Sequence, residues 1–84
     1  MYEIILSPTA KKDLEKLNKG DRERVTSVLQ RIRVRPFVFV KRLVGVKYFS
    51  LRVGKHRVIL DIRKGELVIL VIEIGHRKNI YKKL

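Results

Sequence analysis

The sequence predicts a single α+β domain over residues 1–84, of order β-α-α-β-β-β, with a small, mainly antiparallel sheet. We expect the two helices to form a hairpin that packs on one face of that sheet. Two observations predict this class. Apolar residues recur at helical spacing before Pro36, whereas after Pro36 β-branched residues dominate and the period becomes that of strands.

The first half of the chain is predicted to contain one strand and two helices. Residues 2–6 form a short apolar run, and Ser7 and Pro8 then supply an N-cap and a proline at the first helical position. We expect a stop at residues 18–20, a second helix capped by Asp21, and an end before the next proline. The apolar face of the first helix is Ala10, Leu14 and Leu17, and that of the second is Val25, Val28, Leu29 and Ile32.

Three strands are predicted in the second half, at about 46–53, 56–63 and 66–74. Gly54-Lys55 and Lys64-Gly65 are candidate two-residue turns between them. The first turn fixes a register in which Val53 lies opposite His56 and Arg52 opposite Arg57. This register sends two sets of side chains to opposite faces: Phe49, Leu51, Val53, Val58, Leu60 and Ile62 toward the helices, and Tyr48, Ser50, Arg52, Arg57 and Asp61 away from them.

The predicted pair of Arg52 and Arg57 breaks a local rule of sheet stability. Cross-strand neighbours have Cβ atoms roughly 5 Å apart, and like charges at that separation are destabilising unless an anion lies over them. Two adjacent guanidinium groups match the geometry of a phosphodiester. The alternative is a pair of solvated arginines that point away from each other on an open face.

The charge balance indicates a polyanionic partner. Lys and Arg number 21 against 8 Asp and Glu, a net charge of +13, while 45% of the residues are hydrophobic, so a folded body carries the charge. Nucleic acid is the first candidate, an acidic protein the second and a membrane surface the last. No basic leader and no apolar run of roughly 18 residues is present, so we expect a soluble cytoplasmic protein.

Composition also bounds the chemistry. The chain has no cysteine and two histidines, which excludes a disulfide framework, a thiol nucleophile and the common zinc ligand sets. The eight carboxylates are dispersed along the sequence, so we predict no metal site. A chain this short cannot enclose a large cofactor without hollowing out its core, and no cofactor is expected.

The last predicted strand is apolar at every position from Leu67 to Ile72, which is the pattern of a strand covered on both faces. Two helices cover only one face, so some of Val68, Leu70, Ile72 and Ile74 would be exposed on the other. Residues 76–84 can fold back over them, and we expect a partner chain to bind there as well. The segment after the strand gathers the ionisable residues His76, Arg77 and Tyr81.

Several segments together resemble the RelE/ParE superfamily of toxins from type II toxin–antitoxin systems, and most closely the RelE-type mRNA interferases. They are KRLVG at 41–45, LRVGKHRVI at 51–59, GHR at 75–77 and IY at 80–81. The resemblance spans essentially the whole chain and implies a RelE-like fold. It further implies a ribosome-dependent endoribonuclease that cuts mRNA in the ribosomal A site without metal and is neutralised by an antitoxin. The free toxin would be a monomer and the toxin–antitoxin complex a hetero-oligomer.

The resemblance also implies roles for particular residues. Arg57 matches the arginine that contacts the scissile phosphate, and Arg77 and Tyr81 match an arginine and a tyrosine of the C-terminal segment. His76 is similar to the histidine of some relatives. Positions where RelE-type toxins carry a lysine pair hold Tyr48 and Ser50, which leaves the general base open among Lys47, Lys55 and His76. The remaining expected site residues are Arg52, Lys47, Lys55, Lys41 and Arg42 for RNA phosphates and Val68, Leu70 and Ile72 for the antitoxin.

Two other functions fit the same resemblance. One is a ParE-like inhibitor of DNA gyrase, which shares the fold without cutting nucleic acid. The other is a catalytically degenerate, basic RNA-binding homologue, which the missing lysine pair favours. Arg57, Arg77 and Tyr81 favour the interferase, because cleavage through the RNA's own 2′-OH requires cations for the phosphorane and groups for two proton transfers.

Overall fold

The computed structural model describes residues 1–76. In chain order these residues form β1 (Glu3–Leu6), α1 (Pro8–Lys16), α2 (Lys19–Ile32), α3 (Pro36–Phe39), β2 (Lys41–Arg42), β3 (Phe49–Val53), β4 (His56–Arg63) and β5 (Val68–His76). The strands make one sheet of order β1-β5-β4-β3-β2, in which β1 and β5 are parallel and the other neighbours antiparallel. The predicted α+β class is confirmed. In the part of the chain that the structure describes, no helix combines the length and the apolar character needed to cross a membrane.

The N-cap residue predicted from the sequence is confirmed for α1 and is wrong for α2. Ser7 caps α1 as predicted: its Oγ accepts a hydrogen bond from the Ala10 amide at 3.0 Å. The prediction that Asp21 caps the second helix is wrong, because Asn18 does so. The Asp21 amide donates to Asn18 Oδ1 at 2.8 Å and Asn18 Nδ2 donates to Asp21 Oδ2 at 3.1 Å. Asn18 is therefore the N-cap, and the predicted stop at residues 18–20 is the start of α2.

The β3–β4 hairpin has the predicted register, with Val53 opposite His56 and Arg52 opposite Arg57. The predicted helix-facing side is also confirmed, because its residues lie in the core under α1 and α2. The buried core cluster consists of Tyr2, Ala10, Val25, Leu29, Ile32, Leu51, Val53, Val58, Leu60, Ile62, Ile69, Val71 and Ile74, with Phe49 packed against it.

Two elements between α2 and β3 were not predicted. The short helix α3 begins at the buried Pro36, and β2 then pairs with the first residues of β3. The predicted strand at 46–53 therefore starts only at Phe49, because the preceding residues connect β2 to β3. The Leu43 amide donates to the Tyr48 carbonyl at 3.0 Å across this connection, and Gly45 has a φ of 81° that favours glycine.

The predicted two-residue turn at Lys64-Gly65 is wrong. Arg63 pairs with Val68, so residues 64–67 form the connection and β5 begins two positions later than the predicted 66. The Leu67 amide donates to the Lys64 carbonyl at 3.3 Å, and Leu67 has a φ of 55°. Alternation of apolar and polar residues cannot reveal a turn of this kind, because Leu67 continues the apolar run of the strand.

A β-bulge interrupts the β4–β5 ladder and changes which side chains of β5 face the helices. Ile59 pairs with Glu73 and Leu60 with Val71, so Ile72 is the extra residue. The shift turns Ile74 into the core, where it is 4% exposed. The expectation that Ile74 shares a side with Val68 and Leu70 is wrong for this reason.

Two side chains from the helix layer bind the backbone of β5 at the bulge. Ser7 Oγ donates to the Ile72 carbonyl at 2.7 Å, in addition to capping α1. Asp13 on α1 accepts from the Ile74 amide at 3.1 Å. The parallel pairing of β1 with β5 ends at Leu6 and Val71. Beyond that point, the side chains of Ser7 and Asp13 make hydrogen bonds with the backbone of β5.

Candidate nucleic-acid interface

A cationic groove lies at the β2–β3 side of the sheet, on the face opposite the helices. Lys41 is paired with Ser50 across β2 and β3, and Arg52 is paired with Arg57 across β3 and β4. These strands place the four side chains on one face because cross-strand partners share a face. The groove has a volume of about 320 Å³ and is lined by Phe39, Lys41, Arg42, Leu43, Val44, Ser50, Arg52 and Arg57.

The electrostatics of the groove favour an anion. Four of its lining residues are cationic and, within the described part of the chain, none of them is acidic. Arg52 is exposed and Arg57 half-buried. The acid on the same face of β4, Asp61, accepts from Arg63 Nε at 3.3 Å. A phosphodiester between Arg52 and Arg57 would offset the repulsion that directly opposed like charges experience.

The rest of this face is less open than the sequence suggests. Ile59 is fully buried there, and Ser50, Asp61 and Glu73 are each less than 9% exposed. The predicted polar and cationic face is therefore confirmed only where β2 and β3 meet. Elsewhere on this face Asp61 and Glu73 are buried, and the exposed Arg63 at the far end of β4 contacts Asp61.

The cations predicted to bind RNA divide into two groups. Lys41, Arg42 and Arg52 line the groove with Arg57. Lys47 lies in the β2–β3 connection with its Nζ 5.6 Å from the centroid of the Tyr48 ring, and Lys55 is exposed in the β3–β4 turn. Neither of these two lysines lines the groove.

The predicted C-terminal site residues are placed only in part. His76 ends β5 opposite His56, and the centroids of the two imidazole rings are 6.5 Å apart. Arg57 lies opposite Gly75, one position earlier, so strand alternation directs His76 and Arg57 to opposite faces of the sheet. Arg77 and Tyr81 lie outside the described residues.

The residues predicted to bind an antitoxin are half-buried in β5. Val68 and Leu70 share the face opposite the helices with Ile5 of β1, which pairs with Leu70 and is 42% exposed. Together they form an apolar strip on the sheet face that also carries the groove.

One residue of the groove was missed by the sequence reasoning. Phe39, the last residue of α3, lines the groove and is 44% exposed. Its signal in the sequence was an aromatic residue two positions before Lys41-Arg42, which has meaning only once α3 and β2 are known. Among residues 1–76, no group of three or more His, Cys, Asp or Glu side chains is placed to hold a metal ion.

Comparison with known proteins gives the family. The model of the family described as the ParE toxin of type II toxin–antitoxin systems matches residues 4–81, nearly the whole chain. The chain belongs to the RelE/ParE superfamily of toxins. A search of curated proteins found no significant match to this toxin.

Solved structures show the same fold. The toxin is 24% identical to a chain of the RelBE2 toxin–antitoxin complex of Mycobacterium tuberculosis, with a TM-score of 0.84 over 90% of this chain and 98% of that chain. It is 20% identical to the isolated RelE toxin of E. coli, with a TM-score of 0.81 over 99% and 94%. It is 22% identical to a chain of the archaeal RelE–RelB complex of Pyrococcus horikoshii, with a TM-score of 0.80 over 93% and 97%.

Proposed function

We propose that this toxin is a ribosome-dependent endoribonuclease that cleaves mRNA and so inhibits translation in the cytoplasm. The observation that supports the proposal is the groove in which Arg52 and Arg57 oppose each other across β3 and β4. The two guanidinium groups lie in a lining that contains four cationic residues, and this charge suits a phosphodiester. The dispersed carboxylates give no support to a mechanism that relies on magnesium.

Cleavage in this proposal uses the RNA's own 2′-hydroxyl. The 2′-oxygen attacks the adjacent phosphorus, the bond from phosphorus to the 5′-oxygen breaks, and the products are a 2′,3′-cyclic phosphate and a 5′-hydroxyl. Negative charge accumulates on the non-bridging oxygens in the transition state. Arg57 would stabilise that charge, while Arg52 and Arg42 hold neighbouring phosphates.

Proton transfer needs a base for the 2′-hydroxyl and an acid for the departing 5′-oxygen. Lys41 lies directly opposite Ser50, one of the two positions where the family resemblance expects a lysine, and it lines the groove with Arg57. This placement favours Lys41 over Lys47, Lys55 and His76 as the base. Arg77 and Tyr81 enter the proposal through the resemblance alone, as a second charge stabiliser and the acid.

A cognate antitoxin is the second part of the proposal. Several solved relatives are RelE toxins in complex with RelB antitoxins, which supports a partner of that kind for this chain. An acidic or amphipathic segment would complement the net charge of +13 and cover the apolar strip together with the half-buried Ile72. The free toxin would be a monomer and the complex a hetero-oligomer.

The test is primer extension on a defined mRNA in a translation mixture, with and without ribosomes. We expect wild-type toxin to cut at codon-phased positions only when ribosomes are present. Arg57→Gln should lower the cleavage rate about 100- to 1000-fold, the usual loss when a donor to a developing oxyanion is removed. Arg63→Gln is the matched control, because Arg63 lies on the same strand but outside the groove lining, and it should retain the wild-type rate within a few-fold.

Cleavage by Arg57→Gln at the wild-type rate would overturn the site assignment. Absence of cleavage by folded wild-type toxin would overturn the nuclease itself and favour a second candidate, inhibition of DNA gyrase. The observation in favour of that candidate is the family match, which is described as ParE toxin. A DNA supercoiling assay with purified gyrase then discriminates it from a degenerate homologue that only binds RNA.

A further inference from the structure

We propose that Phe39 forms a nucleobase subsite in the groove, where an unpaired base next to the bound phosphate stacks on its ring. The proposal rests on the function above. It adds a binding site for the nucleobase, which the contacts to phosphate do not bind. It assigns to α3 the role of presenting an aromatic surface beside the cations of β2, β3 and β4.

The anchoring of α3 determines where the Phe39 ring lies. Pro36 at the start of the helix is buried, and the Phe37 ring meets the Phe49 ring edge-on at 5.5 Å between centroids. Val40, which follows the helix, packs against the core. Its two neighbours in the chain, Phe39 and Lys41, both line the groove. The core contacts of three residues thus present the Phe39 ring to the groove.

The surroundings of Phe39 match those of a single-strand nucleic-acid site. Such sites combine cations that follow the backbone with aromatic rings on which bases stack. Phe39 is 44% exposed in a groove with four cationic residues, so its ring is accessible next to the proposed phosphate positions. The neighbouring Val38 is more exposed, at 72%, but it does not line the groove and offers no ring for a base to stack on.

Phe39 favours an RNA ligand over an apolar protein segment. An apolar helix or strand of a partner would cover four positive charges without offering them an anion, which leaves those charges desolvated. An unpaired nucleotide offers a π-face to the ring and a phosphate to the arginines together. Because phenylalanine has no hydrogen-bonding group, we expect stacking with little base specificity, stronger for the larger purines than for pyrimidines.

The test uses short single-stranded 2′-O-methyl RNA oligonucleotides, which the proposed reaction cannot cleave because the nucleophile is blocked. Each carries 2-aminopurine at one position, and its fluorescence is quenched when the base stacks. Wild-type toxin should quench one or two adjacent positions in the series. Phe39→Leu should abolish that quenching and weaken binding about tenfold, whereas Phe39→Tyr should restore both.

Val38→Ala is the control, because Val38 lies in the same helix, is 72% exposed, does not line the groove and is not one of the residues that anchor α3. It should leave the quenching unchanged, and circular dichroism melts establish that each variant is folded. If RNA binds in an Arg57-dependent way but Phe39→Leu quenches like wild type, the base subsite is overturned and the proposed function is not. If wild-type toxin neither binds nor quenches any of the oligonucleotides, the base subsite is overturned, whereas the proposed function is judged separately by the cleavage assay with ribosomes.

Discussion

The two faces of the β3–β4 hairpin differ in both burial and charge. On the helix side, Leu51, Val58 and Leu60 are at most 3% exposed and belong to one core cluster. On the other side, the same two strands present Arg52 and Arg57 to a groove. Because successive side chains of a strand point to opposite faces, the five residue pairs of this hairpin place core residues on one face and the groove arginines on the other. Substitutions on one face should therefore leave the property of the other face intact.

The largest expected effect comes from the helix side. Leu60→Ala removes buried methyl groups from a side chain with no exposed surface and should lower the free energy of unfolding by about 2–5 kcal/mol. Urea denaturation measures this change. Leu67→Ala is the control, because Leu67 is 48% exposed, and its effect should stay within about 1 kcal/mol. Equal losses for the two variants would contradict the placement of the core.

The contact between the helix layer and the bulge of β5 should have a smaller effect. Ser7→Ala removes both the cap of α1 and the hydrogen bond to the Ile72 carbonyl, and we expect a loss of about 1–2 kcal/mol. Thermal unfolding measures it, with exposed Thr9 in the first turn of α1 mutated to Ala as the control. RNA affinity at permissive temperature should not change. A change in affinity without a change in stability would show that the two faces are coupled.

The smallest effect on stability is expected in the groove. Arg52→Thr relieves the opposition to Arg57, so the free energy of unfolding should change by no more than about 0.5 kcal/mol. RNA binding should nevertheless weaken, and the slope of log affinity against log salt should fall by about 0.7 for the lost phosphate contact. Fluorescence anisotropy at several salt concentrations measures the slope. Lys12→Thr on α1 is the control. An equal change in the slope for this variant would indicate that RNA binding depends on the net charge and not on the groove.

The sequence was most informative where short-range geometry decides the outcome. Gly54-Lys55 leaves one register for the hairpin, so the opposition of Arg52 and Arg57 could be predicted without a structure. The N-cap at Ser7 was predictable for the same reason, since Ser-Pro before an apolar helix face is a local signal. Asn18 and Asp21 show the limit, because either residue can cap and only their reciprocal hydrogen bonds assign the role to Asn18.

The cationic residues of the candidate site could be predicted from the sequence, but the full set of residues that line the groove could not. Arg57 and Arg52 followed from the hairpin, but Phe39 joins them through a four-residue helix that has too few positions to show a period. Lys41 was expected to bind phosphate, whereas its place opposite Ser50 depends on β2, a strand of two residues. The turn before β5 was misplaced because Leu67 is apolar although its backbone is left-handed.

The sequence by itself determined the net charge, the order of the main elements and the register of the β3–β4 hairpin, because each depends on composition or local spacing. It also carried the segments whose resemblance indicated the family. Tertiary structure decided which side chains share the groove and which face Ile74 occupies. At the bulge, Ser7 donates a hydrogen bond to the Ile72 carbonyl and Asp13 accepts one from the Ile74 amide, and both partners are more than 60 residues away in sequence. Contacts over such separations arise only when the sheet and helices pack together, so no local pattern in the chain encodes them.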